Sequence, residues 1–155
     1  MSLKSSARTL NHNLGAVPEL VIVKNREFGQ SWATYTQALG RTKYLNFGDT
    51  GKESSASAGQ FWGTSDFTST QISLGSFANT NYNNLDMIAY LFASLDGISK
   101  IGTYTGTGSN IDVNCGFSSG ARFVMIKRTD TEVSGTNGSH WYIWDTERGI
   151  STGND

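Results

Sequence analysis

One stretch of this chain occurs twice, and that recurrence limits what it can fold into more than any other feature. Leu20-Val21-Ile22-Val23-Lys24 returns as Phe123-Val124-Met125-Ile126-Lys127, and an aromatic segment follows each copy. Ser31-Trp32-Ala33-Thr34-Tyr35, then Gly40, lines up with His140-Trp141-Tyr142-Ile143-Trp144, then Gly149. The apolar segments stand 103 positions apart and the aromatic ones 109, so six extra residues fall between Thr129 and Ser139, where a loop lengthens at little cost. A unit of roughly a hundred residues is domain-sized and far too long for a solenoid or propeller repeat. The expected organisation is an N-terminal arm at 1–9 and a single β-sandwich at 10–155. That sandwich comprises one unit at 10–106 and the opening strands of a second at 107–155, as if cut from a longer tandem array. Trp32 and Trp141 should be largely buried at comparable strand positions, with Tyr35 and Trp144 a second equivalent pair.

Composition decides between helix and strand. Gly, Ser, Thr and Asn make up 66 of the 155 residues, and charged residues only 16%. Ser, Thr and Asn compete for the backbone and Gly loses entropy in a helix, so the mixture suits short strands and tight turns. Eighteen aromatic residues supply a core and exclude a disordered chain. A formal net charge of −1 offers no basic stripe for nucleic acid and no polybasic membrane anchor. The longest apolar run, 87–93, is too short to span a bilayer, and Met1-Ser2-Leu3-Lys4 lacks the apolar stretch of a signal peptide. Cys115 stands alone, which rules out an intrachain disulfide or a cysteine-based metal cluster and fits synthesis in a reducing cytoplasm.

Strands are expected at 20–26, 32–36, 43–47, 67–74, 98–105, 124–128 and 141–144, with long polar loops at 49–59 and 76–84. The run 86–95 fits a helical stripe through Ile88, Leu91, Phe92 and Leu95, but also a strand buried on both faces. A strand is favoured because everything around it is β. Asp96-Gly97 and Asn137-Gly138 are hairpin turn signals. The fold class is therefore all-β, an antiparallel two-sheet sandwich of about ten to twelve strands with little or no helix. The strand 98–105 should pair within the first unit's sandwich, and 124–128 and 141–144 should add to the same sheets.

Little in the chain suggests catalysis. Asp49-Thr50-Gly51 resembles the triplet of aspartic proteases, but that chemistry needs two carboxylates sharing a proton and there is no second copy. Gly48 to Lys52 hints at a phosphate loop, but its first glycine would be Asn46 and its hydroxyl residue Glu53. Gly102, Gly106 and Gly108 lack the following helix of a dinucleotide fingerprint. His12 and His140 have no ligand-spaced partner, and Glu19, Glu27, Asp86, Asp145 and Glu147 show no spacing that sets two across a cleft. The chain reads as non-enzymatic, without cofactor or metal. Aromatic rings offer the remaining chemistry, because the CH faces of pyranoses pack on them. Trp62, Tyr142 and Trp144 are the candidate ligand-binding residues, Trp62 because it lies outside the repeat beside a polar loop.

Taken together, Pro18 to Arg26, Trp32 and Leu39-Gly40-x-Thr42-Lys43-Tyr44-Leu45 resemble the repeat of large structural proteins of marine phages. Gln71 to Gly75, Ile88 to Ala93, Tyr104-Thr105-Gly106, Gly116-Phe117, Phe123 to Arg128 and Trp141 to Gly149 continue the likeness. The second copy departs from the pattern by carrying Gly120-Ala121 where a proline is usual. The resemblance implies a concanavalin A-like or SPRY-like jelly-roll sandwich and a virion component of the tail or its fibres, made in the host cytoplasm. Its partners would be other virion proteins or itself, in assembly or host-surface recognition. The alternative is a lectin-like module that binds a cell-surface glycan through exposed aromatics.

Overall fold

The computed structural model describes residues 6–130 and 139–149. They form nine strands and no helix: β1 (Arg8–Asn11), β2 (Leu20–Asn25), β3 (Trp32–Thr36), β4 (Lys43–Phe47), β5 (Ser54–Ser55), β6 (Gln71–Leu74), β7 (Met87–Phe92), β8 (Phe123–Lys127) and β9 (Trp141–Asp145). Every pairing is antiparallel, in a five-stranded sheet ordered β5-β4-β3-β2-β7 and two-stranded sheets β1-β6 and β8-β9. The all-β expectation holds among the described residues.

Two-residue alternation builds the core. Val21 and Val23 of β2, Ala33 and Tyr35 of β3, Tyr44 of β4 and Met87, Ala89 and Leu91 of β7 face one way from the large sheet. They meet Leu10, Ile72 and Leu74 of the β1-β6 pair and Phe61, Trp62 and Phe67 from the connection before β6. That connection is pressed onto β6 by Gly63 N–H donating to Ser73 O (2.8 Å) and Gly75 N–H donating to Phe61 O (2.9 Å). The approach is close enough that a Cβ on Gly75 would overlap the Gln60 carbonyl, so only glycine fits there. On the opposite face of the large sheet the Trp32 ring lies between Phe47 (6.2 Å) and Tyr90 (6.4 Å).

Several expectations need correction. The described strands number nine, and the strand expected over 67–74 begins only at Gln71, because Thr68 and Thr70 build a hydroxyl-bonded turn before it. The strand reading of 86–95 is right at Met87–Phe92, but β7 is a sheet edge, so Tyr90 and Phe92 are exposed and not sandwiched. The chain does turn at Asp96-Gly97, where a single Leu95–Ser99 bridge closes it. Beyond that bridge 100–121 forms no strand. Its Thr- and Gly-rich sequence has few side chains to pack, and Ile101 N–H is taken by the Ser94 hydroxyl. The expected strand at 98–105 is therefore absent. The hairpin β8-β9 likewise does not extend the sheets of the first unit. Its Lys127–Trp141 end is held by Glu53 N–H donating to Thr129 O (2.9 Å) and Trp141 Nε1–H donating to Asn46 O (2.9 Å), which leaves its strands outside the larger ladder. The Asn137-Gly138 turn lies outside the described residues.

Candidate binding face

The repeat seen in the sequence is a repeat of structure. In the first unit Leu20, Val21, Ile22 and Val23 pair with Thr36, Tyr35, Thr34 and Ala33. In the hairpin their counterparts Phe123, Val124, Met125 and Ile126 pair with Asp145, Trp144, Ile143 and Tyr142, in the same register. Lys127 then pairs with Trp141, as Lys24 and Trp32 stand one place beyond Val23 and Ala33. Both lysines turn back on their own loop: Lys24 Nζ donates to Gln30 O (2.8 Å) and Lys127 Nζ to Ser139 O, each carbonyl two residues before the tryptophan. Lys127 Nζ also lies 5.9 Å from the Trp141 ring centre, within cation-π reach.

What differs is cover. Val21, Val23, Ala33 and Tyr35 are core residues, whereas Tyr142 and Trp144, the counterparts of Ala33 and Tyr35, are 40% and 44% exposed. Val124 and Ile126, half-buried, share their face because each stands directly across the ladder from one of these rings. The Tyr142 and Trp144 rings lie 5.6 Å apart with planes only 12° from parallel, stacked on one another at the surface. On the other side only one end is anchored, with Trp141 against Phe47 at 4.7 Å, while Phe123 and Ile143 there are exposed as well. Trp32 and Trp141 thus hold comparable strand positions, as expected, but both are half-buried and stand outside the central core, contrary to the expectation that they are largely buried. Just beyond β9, Arg148 Nε donates to Asp145 Oδ2 (2.7 Å), and this bond holds the Asp145 carboxyl below its ordinary range.

The first strand has a counterpart in the sequence as well. Ile111-Asp112-Val113-Asn114 stands 103 positions after Arg8-Thr9-Leu10-Asn11. In the first unit β1 is paired with β6, Leu10 opposite Ile72. Residues 111–114 belong to no strand or ladder, and Ile111 and Val113 are exposed. Among the described residues the second unit therefore shows strand counterparts of β2 and β3 alone, the stretch matching β1 in position forming no strand.

A family model described as "Domain of unknown function (DUF7483)" matches residues 2–154. The chain belongs to that family. No curated protein and no solved structure matches it. The family match runs through the first unit and the β8-β9 hairpin alike.

Of the three sequence candidates, the structure brings Tyr142 and Trp144 together and separates Trp62 from them. Trp62 is fully buried, its Nε1–H donates to Lys43 O (3.0 Å), and its ring meets Tyr35 edge-on at 5.5 Å. Its place as a surface ligand residue is withdrawn; it packs, because the polar loop beside it folds inward at Gly63 and Gly75. Sequence reasoning also missed a concavity of about 500 Å³ bounded by Tyr35, Arg41, Thr42, Thr64 and Asp66. There Arg41 donates to Gly63 O (2.9 Å) and to Asp66 Oδ1 (2.7 Å), and burial pushes the Tyr35 phenol above its ordinary value. Arg41 and Asp66 are joined only by the fold, so no local pattern could have announced them. Among the described residues no three His, Cys, Asp or Glu side chains gather as metal ligands, and no helix is long and apolar enough to cross a membrane.

Proposed function

We propose that this chain is a non-catalytic structural module, a two-sheet concanavalin A-like jelly roll of a phage virion, working at the tail or its fibres in assembly or host-surface recognition. The phage setting rests on the resemblance of its strand-and-turn segments given above. The assembly reading rests on one observation: the hairpin repeats the register of β2-β3 while leaving exposed the face that the first unit buries. A largely apolar face open to water favours association, because covering it releases ordered water, provided the Tyr142 hydroxyl and Trp144 N–H keep partners. Its partner is another copy of the chain or another virion protein.

A glycan is the second reading, and its own observation is the exposure of the Tyr142 and Trp144 rings, whose outer edges and faces a sugar could meet. Sedimentation velocity across a wide concentration range, beside a glycan array, separates the two. The assembly reading expects association that weakens in Trp144→Ser and an empty array. A monomer at every concentration that binds a defined glycan, lost in Trp144→Ser, would replace it with the lectin-like reading.

A further inference from the structure

Resting on the assembly reading, we infer that the open edge of β8 is an acceptor site for an extended strand of β7 type carried by another polypeptide. The first unit shows what completes such an edge. There β7 pairs with β2 over six residues, Leu20 with Phe92 through Asn25 with Met87, whereas β4 pairs with β3 over only three. β7 sends Met87, Ala89 and Leu91 onto the Val21–Val23 face and packs against it. Transferred by the repeat register, the incoming strand would set residues like Phe92, Leu91, Tyr90, Ala89 and Ile88 opposite Phe123, Val124, Met125, Ile126 and Lys127. Its inward aliphatic side chains would then cover Val124, Ile126 and the Trp144 ring.

The backbone of β8 is oriented for this. Thr146 N–H donates to Arg122 O (3.0 Å) across the β8-β9 ladder. Alternation then turns Val124 and Ile126 toward β9 and leaves the N–H and C=O of Phe123 and Met125 on the far edge. In the first unit Gln37 N–H donates to Glu19 O and Arg26 N–H to Asp86 O, so Leu20 and Ile22, the counterparts of Phe123 and Met125, are the residues that bond β7. Among the described residues β8 has no ladder partner besides β9.

Two differences between the units give the site its own selectivity. Tyr142 fills the space that Ala33 leaves open, so the incoming residue at the place of Ala89 must stay small. In the first unit Ser94 N–H donates to Glu19 Oε2 (2.6 Å) at the end of the β2-β7 pair, and the counterpart of Glu19 is Arg122. An acidic residue at the place of Ser94 would pair with it.

The test uses the full chain and a synthetic, labelled peptide of residues 84–95 with a lysine tail for solubility. Binding is followed by anisotropy and by amide exchange. Saturable binding that slows exchange at Met125, is lost with a Tyr90→Pro peptide, and tightens severalfold with a Ser94→Glu peptide is expected; Arg122→Ala should cancel that gain. Met125→Pro in the chain should abolish binding, since it removes an outward N–H and leaves the β9 ladder intact. Retained exchange protection at Val124 and Ile126 checks that ladder. Failure of the peptide to bind, or equal binding by the Tyr90→Pro peptide or the Met125→Pro chain, overturns the inference. Sedimentation that still weakens in Trp144→Ser would then leave the assembly reading standing; loss of that dependence with peptide binding intact would remove the assembly reading alone.

Discussion

Trp62→Ala is the perturbation whose size the structure fixes best. The indole is completely buried, meets Tyr35 at 5.5 Å and Phe67 at 6.4 Å, and donates to Lys43 O at 3.0 Å. Truncating a buried aromatic ring to alanine costs about 3–5 kcal/mol through lost transfer energy and the cavity left behind. The Lys43 carbonyl left without its donor adds roughly 1–3 kcal/mol to the extent that it stays covered. At about 2–4 °C per kcal/mol for a chain of this size, the melting midpoint should fall by roughly 10–30 °C. Trp62→Phe keeps most of the ring and loses the donor, so it should cost only the polar part, about 1–3 kcal/mol. Trp144→Ala, which removes a half-exposed ring stacked on Tyr142, should cost only about 0.5–1.5 kcal/mol. Urea unfolding followed by circular dichroism measures all three, with the Phe variant retaining a transition if the Ala variant is too unstable for one. A Trp62→Ala cost below about 1 kcal/mol, or one no larger than that of Trp144→Ala, would refute the assignment of Trp62 to packing.

Other consequences are equally open to measurement. Gly75→Ala should destabilise by about 1–3 kcal/mol because its methyl group meets the Gln60 backbone, and a neutral substitution by thermal melting would contradict that close approach. The Asp145 carboxyl should titrate below its ordinary range by NMR, and Arg148→Gln should return it upward; the sign gives a stabilising contribution present above the unfolded pKa and lost as pH falls through the folded one. Tyr35 should ionise above ordinary tyrosine in a spectrophotometric titration, so its contribution is present below the unfolded value and lost as pH rises through the folded one; a normal phenol would deny its burial.

The hairpin repeat was legible because a lysine, a tryptophan and the apolar alternation between them are local signals, and local register follows from them. Strand β7 could be told from a helix only by its surroundings, since Ile88, Leu91, Phe92 and Leu95 trace a helical stripe while the unbroken apolar run 87–93 equally fits a strand. Trp62 was misplaced because burial there depends on Gly63 and Gly75 letting a polar-looking connection close onto β6, a long-range event with no pattern of its own. The segment 98–105 alternates like a strand, but alternation without enough apolar weight or a neighbouring ladder did not suffice. Of the candidate face, Tyr142 and Trp144 were visible as aromatics. Their exposure was not, because it depends on the absence of covering strands elsewhere in the described fold.

The two lysine-tied hairpins give the molecule its own control. β2-β3 and β8-β9 share register, loop tie and alternation, but one is packed between layers and the other is held chiefly at one end by Trp141, Thr129 and Lys127. A two-stranded hairpin on its own is marginal in water. Amide exchange read residue against counterpart, Val21 with Val124 and Val23 with Ile126, therefore compares one local design with and without a roof. The gap in opening free energy between members of each pair is what tertiary cover contributes to a β-hairpin, read within a single chain under a single set of conditions.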